Sequence, residues 1–160
     1  RLTLIGEGER EPALRAIVRA EGLENRVTFA GTRSPEQVAA TLATCHVLLA
    51  PSVVEAGTGN RESGLIVVKE ASASGAVAIG TRHGGIPEII DDGVTGYLVP
   101  ERDVPALASR LVQVLRDPAH CQALGTAGRE KMLREYDNRV RVRALETLYD
   151  EARAAGGAPR

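Results

Sequence analysis

Two glutamates bracket an apolar run in RESGLIVVKEASASG, residues 61–75. Glu62 precedes the run, Glu70 follows it eight positions later, and Gly64 lies between them. On a regular helix, residues eight apart are offset by about 80° and about 12 Å. Carboxylates placed that way cannot share one metal ion or one proton, but they can flank an extended ligand. Carboxylates accept hydrogen bonds and sugar hydroxyls donate them. Ser63 reads as an N-cap, and Gly64 lets another group come close to the backbone. The free N–H groups and dipole of a helix start favour an anion, most naturally a phosphate. A sugar hydroxyl on each side of a diphosphate describes a nucleotide-sugar. A plainer reading stands beside this one: Glu62 is a helix-start carboxylate favoured by the dipole, and Glu70 a solvated residue beside Lys69.

These residues need a frame. RLTLIG (1–6), RVTFAG (26–31), HVLLAP (46–51), AVAIG (76–80) and YLVP (97–100) read as strands. Helical patterns separate them at 9–23, 34–45 and about 64–74, with a short helix at 85–90. Ser34 as N-cap, Pro35 at the first helical position and Gln37 predict a capping box. After Asp103 the pattern is wholly helical, with boundaries predicted at Pro118, Gly128 and Asp137. Strand–helix alternation requires crossovers and therefore a parallel sheet. The expected class is α/β: a doubly wound, Rossmann-like parallel sheet of about five strands with a C-terminal helical extension. Ligands in such folds bind beyond the carboxyl ends of the strands. That directs attention to the loops after Ile5, Phe29, Ala50 and Ile79.

Composition narrows the field. The 160 residues suffice for a real core. Trp is absent and one Phe and three Tyr are the only aromatics, so that core is aliphatic. The net charge of -1 gives no footing for bulk nucleic-acid binding. Cys45 and Cys121 have no metal-ligand spacing and read as reduced, buried thiols of a cytosolic protein. No apolar run approaches the ~18 residues of a membrane span. The chain opens without Met inside a strand-like pattern, and the expectation is a piece of a longer protein.

Residues 62–111, ESGLIVVKEASASGAVAIGTRHGGIPEIIDDGVTGYLVPERDVPALASRL, resemble the C-terminal half of family 4 (group 1) retaining glycosyltransferases, which have the GT-B fold. The resemblance rests on Glu62 and Glu70 and on Glu70-Ala71, Ala73 and Gly75. It continues through Gly84-Gly85-Ile86-Pro87-Glu88, Asp92-Gly93, Thr95-Gly96 and Leu98-Val99-Pro100. LIGEGE (4–9), VTFAG (27–31) and HVLLAPS (46–52) extend it over nearly the whole chain. It implies that residues 1–160 form a nucleotide-sugar-binding domain whose N-terminal acceptor domain is absent. The full enzyme would transfer a sugar to a hydroxyl with retention, in cell-surface polysaccharide or glycoconjugate biosynthesis. Glu70 would bond the ribose hydroxyls, and Glu62 would lie near the donor sugar as the catalytic candidate. The backbone of Ser63, Gly64, Leu65 and Ile66 would reach donor sugar and phosphates. The segment from Gly31 to Arg33 would border the base, and Gly6 would line the cleft. No metal and no cofactor is implied beyond a UDP-, GDP- or ADP-sugar donor. The expected location is the cytoplasm, with peripheral association at the inner membrane face among the expectations for the full protein.

Three departures from the family pattern bear on this. Ser63-Gly64-Leu65 stands where Gly-Phe-Gly is common. The loop SVVEAGTGNRE (52–62) is long, so Glu55 competes as first glutamate, although only Glu62 keeps the spacing. The Arg and Lys that clamp the diphosphate would lie upstream of residue 4 and are missing. The 160-residue chain is therefore expected to bind a donor weakly and to catalyse nothing alone. His83 reads as loop packing rather than as a general base, His46 as structural, and Glu88 as a helix-start carboxylate. Arg139, Arg141 and Arg143 read as a solvated helix face. Rival classes are a GT-B nucleotide-sugar epimerase or phosphorylase-like enzyme, and a non-catalytic GT-B subunit that stabilises a partner transferase. A receiver-type doubly wound domain would lack the run from Gly84 to Pro100.

Overall fold

The computed structural model of the chain describes residues 1–54 and 65–156. It divides into two compact units, Arg1–Thr41 and Leu42–Arg160.

The first unit opens with β1 (Leu2–Leu4), α1 (Glu11–Ala20) and β2 (Val27–Phe29), and α2 (Pro35–Leu42) follows. β1 and β2 pair in parallel, Leu2 opposite Val27 and Leu4 opposite Phe29. Pro12 in the first turn and acidic Glu11 suit the start of α1. At α2 the expected capping box is present. The Gln37 N–H donates to Ser34 Oγ (3.3 Å), and the Ser34 N–H donates to Gln37 Oε1 (3.0 Å). No residue from 1 to 41 is buried.

The core lies in the second unit. Here β3 (Val47–Ala50), α3 (Ile66–Ser74), β4 (Val77–Thr81), α4 (Ile86–Ile89) and β5 (Gly96–Val99) alternate. The ladder β3–β4–β5 is parallel throughout, with Leu49 opposite Ile79 and Ile79 opposite Tyr97. All five residues of central β4 are buried, as expected for a parallel strand covered on both faces. Successive side chains alternate between those faces. Ala78 joins Val68, Ile86, Ile89, Leu98 and Met132 in one cluster. Val77 and Ile79 join Tyr97, Val114 and Leu124 in the other. Helices on both faces complete the α/β Rossmann-like pattern.

The C-terminal extension comprises α5 (Val104–Arg116), α6 (Pro118–Lys131), a π-helical turn (Met132–Tyr136) and α7 (Asn138–Gly156). Asp103 caps α5 through the Ala106 N–H (2.9 Å), and Asp117 caps α6 through the His120 N–H (3.0 Å). Every described side chain of α7 is exposed, including Arg139, Arg141 and Arg143. Among the described residues no helix is long and apolar enough to cross a membrane.

Within the first unit β1 pairs with β2, and within the second the order is β3–β4–β5. The structure corrects several expectations. The helix after the β3 loop starts at Ile66, two residues later than read. Its N-cap is Leu65, in extended conformation with no side-chain cap, so Ser63 does not hold that position. Gly128 ends no helix: it is buried inside α6, where an added Cβ would lie 3.2 Å from the Thr95 carbonyl oxygen. That glycine serves close packing, and sequence pattern alone does not separate packing from a helix stop. α1 ends at Ala20, short of Leu23. Cys45 and Cys121 are free thiols but only half-buried.

Candidate functional site

In the second unit, β3 runs out through residues 51–54, and the chain is described again at Leu65, where α3 begins. Glu62, Ser63 and Gly64, and the competing Glu55, lie outside the described residues. Leu65, Ile66 and Glu70 lie within them. Leu65 is half-buried, while Ile66 is 68% exposed at the first position of α3. Leu65 gives α3 no side-chain cap, and the Val68 N–H donates to the Leu65 carbonyl (3.1 Å). Glu70 is exposed four residues after Ile66, on the same helix face. The neighbouring Lys69 ammonium turns to the Tyr136 ring, 4.9 Å from its centroid. Among the described residues no cation pairs with the Glu70 carboxylate. The backbone carbonyl of Glu70 takes the Ser74 hydroxyl (2.9 Å).

The first unit carries Gly6 and Arg33. Gly6 follows β1 at φ 114°, a backbone that an L side chain rarely adopts, and its N–H donates to the Gly31 carbonyl (2.9 Å). Arg33 is exposed. An open groove of about 790 Å³ in this unit is lined by Glu7, Glu11, Arg15, Phe29 and Gly31, among others, and by neither Gly6 nor Arg33. The Arg15 guanidinium lies over the Phe29 ring at 4.2 Å.

A polar cluster that sequence reasoning missed surrounds residues 52–54. Glu101 Oε2 accepts the Val54 N–H (2.8 Å), while Glu101 Oε1 meets His83 Nδ1 (2.9 Å). Arg102 Nη2 donates to the Val54 carbonyl (3.0 Å), and the Thr81 hydroxyl donates to the Ser52 carbonyl. The Val54 N–H and then the His83 bond hold the Glu101 carboxyl below its ordinary range. An ionised carboxylate only accepts, so the His83 proton on this side sits on Nδ1. His83 itself is buried at 2% exposure. That fits packing in the turn after β4. Its sequence context, TRHGG, carries no sign of a partner eighteen residues away. Glu88 lies in the first turn of α4 and is exposed, and His46 is exposed with its carbonyl accepting the Val77 N–H (2.9 Å).

The fold and the exposed start of α3 place the chain in a class that the comparisons with known proteins make specific. The chain belongs to the glycosyl transferases group 1 family, whose description matches residues 1–131. It is 30% identical over 148 residues to the amylovoran biosynthesis glycosyltransferase AmsK of Erwinia amylovora, covering 92% of this chain and 36% of that protein. It is 33% identical over 155 residues to a GDP-mannose-dependent alpha-(1-6)-phosphatidylinositol monomannoside mannosyltransferase of Mycolicibacterium smegmatis, covering 96% of this chain and 40% of that one. Among solved structures, the sucrose-phosphate synthase of Thermosynechococcus elongatus superposes with a TM-score of 0.78 at 28% identity, covering 96% of this chain and 38% of that chain. Anabaena Alr3699/HepE in complex with UDP-glucose shares the fold at a TM-score of 0.75 and 22% identity, over 92% of this chain and 40% of that chain. The chain thus spans at most 40% of the length of these four proteins, and its fold is that of one part of a GT-B glycosyltransferase.

Proposed function

We propose that residues 1–160 are the donor-binding domain of a glycosyltransferase. The full-length enzyme would move a sugar from a nucleotide-diphospho-sugar to a hydroxyl, with retention, in the biosynthesis of a cell-surface polysaccharide or glycoconjugate at the cytoplasmic side. The observation that carries this reading is the exposed, uncapped start of α3 with Glu70 one turn further along the same face. A helix start without a side-chain cap offers N–H groups and a positive dipole end to phosphate. A carboxylate without a cation partner offers acceptors to vicinal hydroxyls. In this reading Glu70 holds the ribose, and the backbone of Ser63, Gly64, Leu65 and Ile66 meets the diphosphate and donor sugar. Glu62 lies by the sugar as the residue closest to the chemistry. Gly6 and Arg33 are proposed donor residues of the first unit, each open to its own substitution. Relatives whose names specify a GDP-mannose donor, and a structural neighbour holding UDP-glucose, support a nucleotide-sugar of this general kind.

Catalysis would be positioning together with stabilisation of the departing diphosphate. The α3 start would offset that charge, so the scheme calls for no resident metal or other cofactor. The acceptor-binding domain is proposed to lie elsewhere in the full protein, and this chain alone would bind donor without transferring it.

The test is a titration of the 160-residue chain with UDP, GDP and ADP, followed by NMR chemical-shift perturbation. One nucleotide is expected to shift the amides at the start of α3. Glu70→Ala should weaken that binding by roughly tenfold or more, the effect of losing hydrogen bonds to a charged acceptor. Binding unchanged in Glu70→Ala would remove Glu70 from the site.

A further inference from the structure

Two side chains outside the proposed donor residues converge on the backbone of one residue. Val54 is the last described residue after β3, and both of its backbone hydrogen-bonding groups are taken by neighbours in the turn after β5. Glu101 Oε2 accepts its N–H at 2.8 Å, and Arg102 Nη2 donates to its carbonyl at 3.0 Å. Consecutive residues thus grip Val54 with an acceptor on one side and a donor on the other, as a neighbouring strand would.

The grip is itself held. The second oxygen of Glu101 meets Nδ1 of buried His83 at 2.9 Å. Arg102 is the only non-glycine at positive φ among the described residues, at 63°. Such a backbone is unfavourable for a side chain and persists where surrounding structure determines it. Two residues earlier in the chain than Val54, the Ser52 carbonyl takes the hydroxyl of Thr81 from the end of β4. Every one of these groups sits at or just beyond the carboxyl end of β3, β4 or β5, the end where ligands bind in open parallel sheets.

We propose that Glu101 and Arg102, with His83 behind Glu101, are positioning residues for the donor. They fix the exit of β3 at Val54, at the carboxyl edge of the β3–β4–β5 ladder. This rests on the donor reading above. Other turns of the second unit are also fixed by side chains: the Leu98 N–H bonds Asp92, and Lys131 bonds Asp91 and the Glu88 carbonyl. Those contacts lie around the α4–β5 turn, which supplies none of the proposed donor residues. The Glu101–Arg102 grip acts on the end of β3, the strand that precedes α3 in the chain.

The test uses ¹⁵N-labelled 160-residue chain and the nucleotide that binds it best of UDP, GDP and ADP. Three variants are compared with wild type: Glu101→Ala, Glu101→Gln and Arg102→Gly. The last removes the guanidinium and places at that φ the residue most at ease there. In Glu101→Ala the Val54 amide proton should move upfield, since its bond to a carboxylate is lost, and the nucleotide Kd should rise roughly three- to tenfold. Arg102→Gly should raise the Kd in the same direction with the melting temperature unchanged or higher. Glu101→Gln should recover part of the affinity, because an amide oxygen still accepts from Val54. A moved Val54 amide with an unchanged Kd in both Glu101→Ala and Arg102→Gly would reduce the cluster to plain structure and overturn the proposal. A Val54 amide unmoved in Glu101→Ala would deny the grip itself. Wild type binding none of the three nucleotides would be a failure of the donor reading, and this proposal would fall with it.

Discussion

Glu101 shows how one side chain ties stability to pH. Its carboxyl is held below the ordinary value of 4.5, first by the Val54 N–H and then by His83, so the folded state favours the ionised form. A lowered carboxyl contributes stability that is fully present above its unfolded-state value and is lost as pH falls through the folded value. The expected outcome is a gap in urea midpoint between wild type and Glu101→Gln at neutral pH that closes as the pH is stepped down through the carboxylate range. A gap that widens on acidification would have the wrong sign. Asp137, held low by the hydrogen bonds of Arg139, acts in the same window, and the comparison with Glu101→Gln separates the two. At this scale the legible part was the place of Glu70, on the helix that follows the β3 loop. Glu101 and Arg102 were not legible, because VPERD reads as an ordinary polar turn and their partner Val54 is 47 positions from Glu101 in sequence.

The elements are fixed by how closely their backbones approach. α3 ends at Gly75 with φ 86°, and its carbonyl oxygen faces α6 where Gly125 sits. A Cβ built on Gly125 would lie 2.1 Å from that oxygen, a distance no real side chain tolerates. Gly125→Ala is therefore expected to force α6 away from the α3 end and to cost about 1–3 kcal/mol in denaturant unfolding, the range of overpacked cores. Gly8→Ala, where nothing lies within 4 Å, is the matched control and should stay within about 0.5 kcal/mol of wild type. An equal loss in both variants would point to a general effect of added side chains. The alternation of strands and helices was legible because β4 is a continuous apolar run and the caps at Ser34 and Asp103 have sequence signatures. Buried glycines have no such signature: Gly128 reads as a stop and serves as a contact.

Across the whole molecule the burial is uneven. No residue of 1–41 is buried, whereas β4 is buried end to end. Backbone openings are cheapest where few apolar contacts must break. Amide exchange in β1, β2 and α1 is therefore expected to be faster than in β4 by at least about tenfold, as read by hydrogen-exchange mass spectrometry on the 160-residue chain. Comparable protection in both units would show that the first unit is stabilised by more than its own residues. The parallel class and its crossovers were legible from the sequence alone.

The parallel β3–β4–β5 ladder also sets a timetable. A hairpin strand meets its partner within a few residues, but β3 meets β4 only after an intervening helix, and β5 comes later still. At translation rates of about 5–20 residues per second, roughly 3–10 s pass between the synthesis of β3 and the end of β5. For that interval Val47, Leu48 and Leu49 leave the ribosome without the neighbours that will cover them. Nascent chains stalled shortly before residue 96 should therefore be strong clients of ribosome-bound chaperones, and chains released past β5 much weaker ones.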